Sequence, residues 1–337
     1  MRILVVRNDK IGDFMVAWPA FAMLKASMPC HITALVPQYT KVLAHLCPYI
    51  DDVIVDCGEE GDKTAQNELI QQLKAQAFDA AICYYSTLRN ARLMRKAKIP
   101  QRWAPATKWF QWMYNHRLVQ RRSKSIKAEF EYNEDLSRAF LSHQKQSVKV
   151  VLGPHLVFEP EVLSGFKTSL AARFGLEETA PWFIVHAGSG GSASNLTVEQ
   201  FAALAQQLKQ AVPECQLILT AGPADHEPVT ALSRLLKGQA VVVEGLSLEA
   251  LSQLIACAQL FVAGSTGPLH IAGAVDTPTV GFFSNRRSAT GVRWRPINTD
   301  GRHLGVQSKD ESSEAEQLII DVDEVAKRLI QWYQALQ

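Results

Sequence analysis

Residues 262–283 read VAGSTGPLHIAGAVDTPTVGFF, and no other stretch limits so tightly what the chain can fold into. An apolar strand over 260–263 runs into a turn of small residues, Gly264-Ser265-Thr266-Gly267-Pro268. A helix of small residues over 269–275 and a second apolar strand over 279–283 follow. Strand, turn, helix and strand in that order form a unit of a parallel sheet. The order also outlines an anion site, because the first N–H groups of a helix lack partners and lie at the positive end of its dipole. Gly264 and Gly267 would let a ligand approach the backbone closely. Ser265 and Thr266 offer hydroxyls that cap the helix or bind a phosphate, and His270 is expected to face back toward the turn. An ordinary βα turn whose hydroxyls only cap explains the same residues.

The alternation extends through most of the chain. Strands are expected over 3–6, 31–36, 53–55 and 80–84, with helices over 14–27, 40–46 and 64–76 between them. Pro19 predicts a kink in the first helix or a later start. Residues 89–127 read as an interruption, a helix over 129–144 closes this unit, and 148–161 reads as a linker. A second alternation has strands over 182–186, 216–220, 240–243, 260–263 and 279–283, separated by helices. An irregular, Arg-rich segment is expected from there to 306, then an amphipathic helix over 322–335. Doubly wound sheets bind ligands at the carboxyl ends of their strands. Three turns fall at such ends: 7–13, 187–194 and 264–268.

A chain of 337 residues, 47% hydrophobic and 20% charged, has room for two proper cores. No run approaches eighteen apolar residues, and the opening MRILVVRNDKIGD lacks a signal-peptide core. Six cysteines without a CxxC pair suggest reduced thiols rather than a disulfide frame or a zinc site, so a cytoplasmic location is expected. The net charge of +2 hides an asymmetry: residues 1–150 hold 22 Lys/Arg against 14 Asp/Glu, the remainder 13 against 19. Residues 89–127 carry twelve Lys/Arg and no acid, interleaved with Trp103, Trp109, Phe110, Trp112 and Tyr114. Such a block suits an anionic acceptor, a membrane surface or a nucleic acid, or else forms a solvated face.

Asp13 ends the first turn, where a carboxylate can act as a general base or cap a helix. The turn lacks G-x-G-x-x-G, which counts against a nicotinamide enzyme. Gly188, Ser189 and Ser192 could cradle a phosphate or belong to a flexible connection. His186 reads as a strand-end histidine, and Asp225, His226 and Glu227 as ribose ligands or a solvated loop. Arg286, Arg287, Arg293 and Arg295 could neutralise a departing diphosphate or pair with acids of their own half.

Taken together, ILVVRNDKIGDFMVAWPA, HAGSGGSASNLTVEQFAALAQQL and VAGSTGPLHIAGAVDTPTVGFF resemble the bacterial heptosyltransferases of glycosyltransferase family 9, in matching order over most of residues 1–285. The resemblance implies an α/β chain of GT-B architecture, two facing Rossmann-like doubly wound domains with a cleft between them. Residues 1–155 would bind the acceptor and 156–337 the nucleotide sugar. It implies inverting transfer of heptose from ADP-heptose to a lipid A-linked lipopolysaccharide inner core, with neither metal nor cofactor. Partners would be that donor, a phosphorylated glycolipid and, peripherally, the cytoplasmic face of the inner membrane, with no nucleic acid. Asp13 then matches the general base, and Gly188, Ser189, Glu227, Ser265, Thr266, Gly267 and His270 the donor site. Arg89, Arg121 and Arg122 become candidates for the acceptor. Well-studied members carry an acid where Ser265 stands and a Lys or Arg near Ser194. Another nucleotide sugar, or a binding protein of this shape without turnover, is the alternative.

Overall fold

Two six-stranded, wholly parallel sheets carry the chain, one in each of two compact units. The structure is a computed structural model that describes residues 1–188, 194–222, 225–310 and 317–337. One unit comprises Met1–Arg122 and Lys127–His155, the other Ser123–Ile126 and Leu156–Gln337.

The first unit runs β1 (Arg2–Val6), α1 (Ile11–Met15), α2 (Trp18–Ser27), β2 (His31–Pro37), α3 (Lys41–Leu46), β3 (Asp52–Asp56), α4 (Lys63–Ala75) and β4 (Ala80–Cys83). It continues through α5 (Leu88–Lys96), β5 (Gln101–Pro105), a 3-10 turn (Trp109–Met113), β6 (His116–Leu118) and α6 (Glu129–His143). The second unit runs α7 (Pro160–Phe174), β7 (Trp182–His186), α8 (Val198–Ala211), β8 (Gln216–Thr220), α9 (His226–Leu235), β9 (Ala240–Val243) and α10 (Leu248–Ala256). It ends with β10 (Leu260–Gly264), α11 (Gly267–Ala274), β11 (Thr279–Phe283), α12 (Gly291–Trp294), β12 (His303–Gln307) and α13 (Val322–Gln334).

The sheet orders are β3-β2-β1-β4-β5-β6 and β9-β8-β7-β10-β11-β12. Both are the doubly wound order in which the chain reverses direction across the sheet beside its first strand. The reversal falls between β1 and β4 in one unit and between β7 and β10 in the other. The expected α/β class is therefore what the chain adopts. Among the described residues no helix is long and apolar enough to cross a membrane.

Three local expectations need correction. Residues 89–127 do not interrupt the alternation but supply α5, β5 and β6. Their short strands hide behind flanking cations: Ala91, Leu93, Met94, Trp103 and Ala104 are buried, while the arginines between them turn outward or find acids elsewhere. The Arg-rich segment after β11 is likewise ordered, holding α12 and the edge strand β12. The first helix is two helices, because Pro19 occupies the opening turn of α2, where its missing N–H costs nothing.

The break between α1 and α2 is sealed from the side. Residues 18–24 of α2 are buried all round, so the helix is apolar on every face. Asn133 of α6 donates to the carbonyl of Val16 at 3.1 Å and is itself fully buried. Asn133→Ala should cost about 1–3 kcal/mol by leaving that carbonyl unpaired in the core. Denaturant unfolding measures it, and an unchanged midpoint would show that Val16 finds another donor.

Candidate functional site

At the reversal point of the first sheet, β1 delivers Arg7, Asn8 and Asp9 and α1 delivers Asp13. The Arg7 guanidinium is 3% exposed and contacts three carboxylates. Its Nη2 lies 2.5 Å from Asp13, its Nε 3.1 Å from Asp9 and its Nη1 3.6 Å from Glu129, while Nη1 also donates to the Tyr84 carbonyl. Burial alone would lower the pKa of Arg7, but Asp9, Asp13 and Glu129 together raise it, so the cation is secure. Burial pushes Asp9 well up, against the pull of Arg7 and with the repulsion of Asp13. Asp13 sits within α1 rather than capping it, since Lys10 holds the cap position. Its side chain is 19% exposed, with the carboxylate oxygen Oδ1 on Arg7.

Two of the arginines considered for the acceptor are held by acids. Arg89 grips Asp56 with two nitrogens, at 2.8 and 2.5 Å, and reaches Gln66. Arg122 pairs with the buried Glu129 and also donates to Gln120 and Asn133. Glu129 thus lies between Arg122 and Arg7, which links Arg122 to the Asp13 cluster. Arg121 is exposed. Arg7, Asp9 and Glu129 escaped the sequence reading. Three polar residues straight after the first strand were the available signal for the first two, and nothing local marked Glu129.

In the second unit the reversal brings the turns after β7 and β10 side by side, with the turn after β8 next to them. Two glycines interlock them. A Cβ on Gly264 would lie 2.4 Å from Oδ1 of Asn195, whose Nδ2 donates to the Ala187 carbonyl at 2.8 Å. A Cβ on Gly188 would lie 2.2 Å from the Asp225 carboxylate. At both glycines the place of a Cβ is therefore taken by the chain's own side chains. Ser189 and Ser192 lie outside the described residues.

The turn after β10 does present an anion site. Thr266 occupies the cap position of α11, yet its side chain makes no capping bond. Its Oγ1 is buried and has no hydrogen-bond partner among the described residues. Pro268 removes one of the helix's opening N–H groups, leaving those of Gly267 and Leu269. His270 is one turn further on the same face, buried, with its ring centroid 6.2 Å from that of Trp294. Ser265 is half-buried beside them, and Arg286, after β11, buries an Nε that has no hydrogen bond among the described residues. Arg293 lies over the Trp294 ring, while Arg287 and Arg295 are exposed. Glu227 sits exposed in the first turn of α9, and His226 pairs with Glu244 at 3.1 Å. Asp225, tucked against Gly188, is the acid of that trio closest to the neighbouring turns. Among the described residues no group of three His, Cys, Asp or Glu side chains is arranged to hold a metal.

Two buried histidines lie in this sheet, His186 at the carboxyl end of β7 and His303 at the amino end of β12. His186 meets Thr220 Oγ1 at 2.9 Å, and burial lowers its pKa to about 4 against a weaker opposing pull from Asp225. His303 meets Thr279 Oγ1 at 2.9 Å and is lowered to about 3 by burial, with His270 and Arg295 adding to the shift. Both are depressed below the ordinary 6.5, so the unfolded chain takes up more protons than the folded one as pH falls below that value. Their contribution to stability is complete above 6.5 and is lost as pH falls toward 4 and 3. His186→Gln should therefore flatten the fall of the melting temperature between neutral pH and pH 4. Parallel pH profiles for variant and wild type would remove His186 from this role.

Comparison with known proteins adds what geometry cannot. The family model for glycosyltransferase family 9 (heptosyltransferase) matches residues 67–319. A Haemophilus influenzae protein, itself described provisionally and only as a glycosyltransferase, is 47% identical over 306 residues, 90% of this chain and 88% of its own. The solved E. coli ADP-heptose LPS heptosyltransferase II is similar with a TM-score of 0.79 at 20% identity, over 99% of both chains. The E. coli heptosyltransferase WaaC, solved with ADP, is similar at 0.75 and 16%, over 98% of this chain and 100% of its own. At those identities the two structures speak to the fold, which is the α/β, GT-B fold.

Proposed function

The chain belongs to glycosyltransferase family 9, and from that premise we propose that it transfers heptose from ADP-heptose to a lipid-linked lipopolysaccharide inner core. The observation that carries the donor half of this reading is the buried hydroxyl of Thr266 at the start of α11, unpartnered among the described residues. Leaving such a group unpaired costs about 1–3 kcal/mol, and a diphosphate oxygen supplies the missing partner. The N-terminus of α11 and Arg286 add positive potential where the leaving group gains negative charge. The E. coli relative solved with ADP supports an adenine nucleotide in particular.

On this reading Asp13 removes the proton of the acceptor hydroxyl as its oxygen attacks the anomeric carbon. The new glycosidic bond forms while the bond to the β-phosphate breaks, with inversion, and ADP leaves with both electrons. Arg7 holds Asp13 in place from its buried side and leaves the solvent side to the acceptor. The donor is held by Thr266, Gly267 and His270, with Gly188, Ser189, Glu227 and Ser265 as further donor candidates. Asp225 is the stronger candidate than Glu227 for a ribose hydroxyl, because it packs against Gly188. Arg121, exposed and unlike Arg89 and Arg122 not gripped by an acid, is the candidate for a phosphate of the acceptor. The work would be done in the cytoplasm, at the inner face of the membrane that presents a lipid-linked acceptor.

Ser265 favours a second reading, a different nucleotide sugar, since a neutral half-buried residue stands where an acid was expected. Calorimetry with ADP, ADP-heptose and UDP- and GDP-sugars separates the two. Preference for ADP-heptose supports the first reading, preference for another nucleotide sugar the second, and binding of none would sink both. Asp13→Asn should lower transfer at least about a thousandfold while ADP binding is kept, a size in line with losing a base and its positioning role together. Equal loss of both would make Asp13 structural. Thr266→Val should weaken ADP about tenfold, the worth of one hydrogen bond to a charged oxygen.

A further inference from the structure

The 3-10 turn Trp109–Met113 has two faces, since side chains three residues apart eclipse in such a turn. Phe110 and Met113 face inward and pack on the core of the first unit. Trp109 and Trp112 face outward, 74% and 56% exposed. The turn is firmly tied: Arg102 donates to the carbonyls of Met113 at 3.0 Å and Ile99 at 2.5 Å, and the amides of Gln111 and Tyr114 close it from within. Two indoles are thus held in water on a fixed support. A pair of large apolar groups presented this way marks an interaction surface.

The surroundings of the two indoles are basic. The turn packs against α5, whose exposed side chains are Arg92, Arg95 and Lys96. The Arg95 guanidinium lies 4.8 Å over the Trp112 ring, and Lys108 is exposed immediately before Trp109. No acid occurs from residue 89 to residue 127.

We propose that Trp109 and Trp112, backed by Arg92, Arg95, Lys96 and Lys108, anchor the first unit to an anionic phospholipid surface. Indoles settle at the boundary between headgroups and acyl chains, where an apolar body and a polar N–H are both satisfied. Arginine and lysine beside them meet the phosphates of that boundary, which makes the match one of charge as well as polarity. Single-stranded nucleic acid would need open ring faces for base stacking, and Arg95 already covers one face of Trp112. The proposal deepens the reading of a lipid-linked acceptor and rests on it for its purpose.

The test uses the full chain and two kinds of vesicle: phosphatidylethanolamine with a minority of phosphatidylglycerol, and pure phosphatidylcholine. The chain should bind the first in a salt-sensitive manner and the second weakly. W109A/W112A should lower affinity for the anionic vesicles about tenfold or more, as expected for withdrawing two indoles from the interface. R92Q/R95Q/K96Q should lower it too and flatten its salt dependence. Brominated lipid should quench fluorescence of the wild type and much less that of W109A/W112A. Both Trp positions are exposed, and circular dichroism checks that the variant folds. Unchanged vesicle binding by W109A/W112A, equal binding to phosphatidylcholine, or preferred binding to single-stranded DNA would each overturn the proposal. Transfer to a delipidated acceptor in solution should be unchanged in W109A/W112A. If neither protein transfers sugar while the vesicle results stand, the proposed function fails and the anchor survives.

Discussion

Arg7 leaves β1 with its guanidinium almost wholly out of water, where burial alone would favour the uncharged form. A charge so placed is tolerated only with partners, and removing one partner of a buried pair costs about 3–5 kcal/mol. Asp9 and Asp13 come from the turn and short helix that follow, Glu129 from the start of α6, and the Tyr84 carbonyl from the end of β4. One side chain therefore ties together four segments at the reversal point of the sheet. The break between α1 and α2 is part of the same construction. A continuous helix from residue 14 would have no gap at Val16 for Asn133 to fill, and Asn133 also accepts from Arg122, the second partner of Glu129.

The equivalent place in the second unit is built on the opposite plan. Among the described residues its turns are joined by close backbone approach at Gly188 and Gly264. A methyl group at either glycine would collide with Asp225 or Asn195, so shape fixes the turns. What remains is a cap residue without its cap bond. In the first unit the buried Arg7 cluster pairs its charges with one another and leaves the Asp13 side chain partly exposed, which suits accepting a proton. In the second unit the Thr266 hydroxyl and the Arg286 Nε find no partner among the described residues, which suits binding an anion. The division of labour follows from which groups each fold has already paired.

Much of this was legible in the sequence, for definite reasons. The strands over 182–186, 216–220, 240–243 and 279–283 are apolar runs bounded by turn residues, and they form as read. β5, β6 and β12 were missed because short strands such as His-Arg-Leu carry too few apolar residues to rise above flanking cations. Their existence is decided by pairing with a neighbour already in place, a property of the sheet and not of the segment. Thr266 and His270 were legible because glycine turn, hydroxyl and helix are contiguous. Glu129 was not, since it comes to Arg7 from over a hundred residues away in sequence. Gly264 shows the same limit: glycine signals close approach, but the sequence does not name Asn195 of the chain itself as one of the groups that comes near.

The basic block shows how one composition serves two ends. Arg89 lies in the first turn of α5 and meets Asp56 at the end of β3, and Arg122 meets Glu129 at the start of α6. Both acids stand outside the block, so an excess counted within residues 89–127 overstates the charge left for a partner. Arg92, Arg95 and Lys96 lie further along the same helix, away from Asp56 at the carboxyl end of β3, and among the described residues they pair with no acid. Position along α5 thus separates cations that hold the fold from cations that face outward. The absence of acids between them matters because an acid one turn away would neutralise the outward set. That separation, and not the number of basic residues, is what leaves the outward side chains of α5 positively charged.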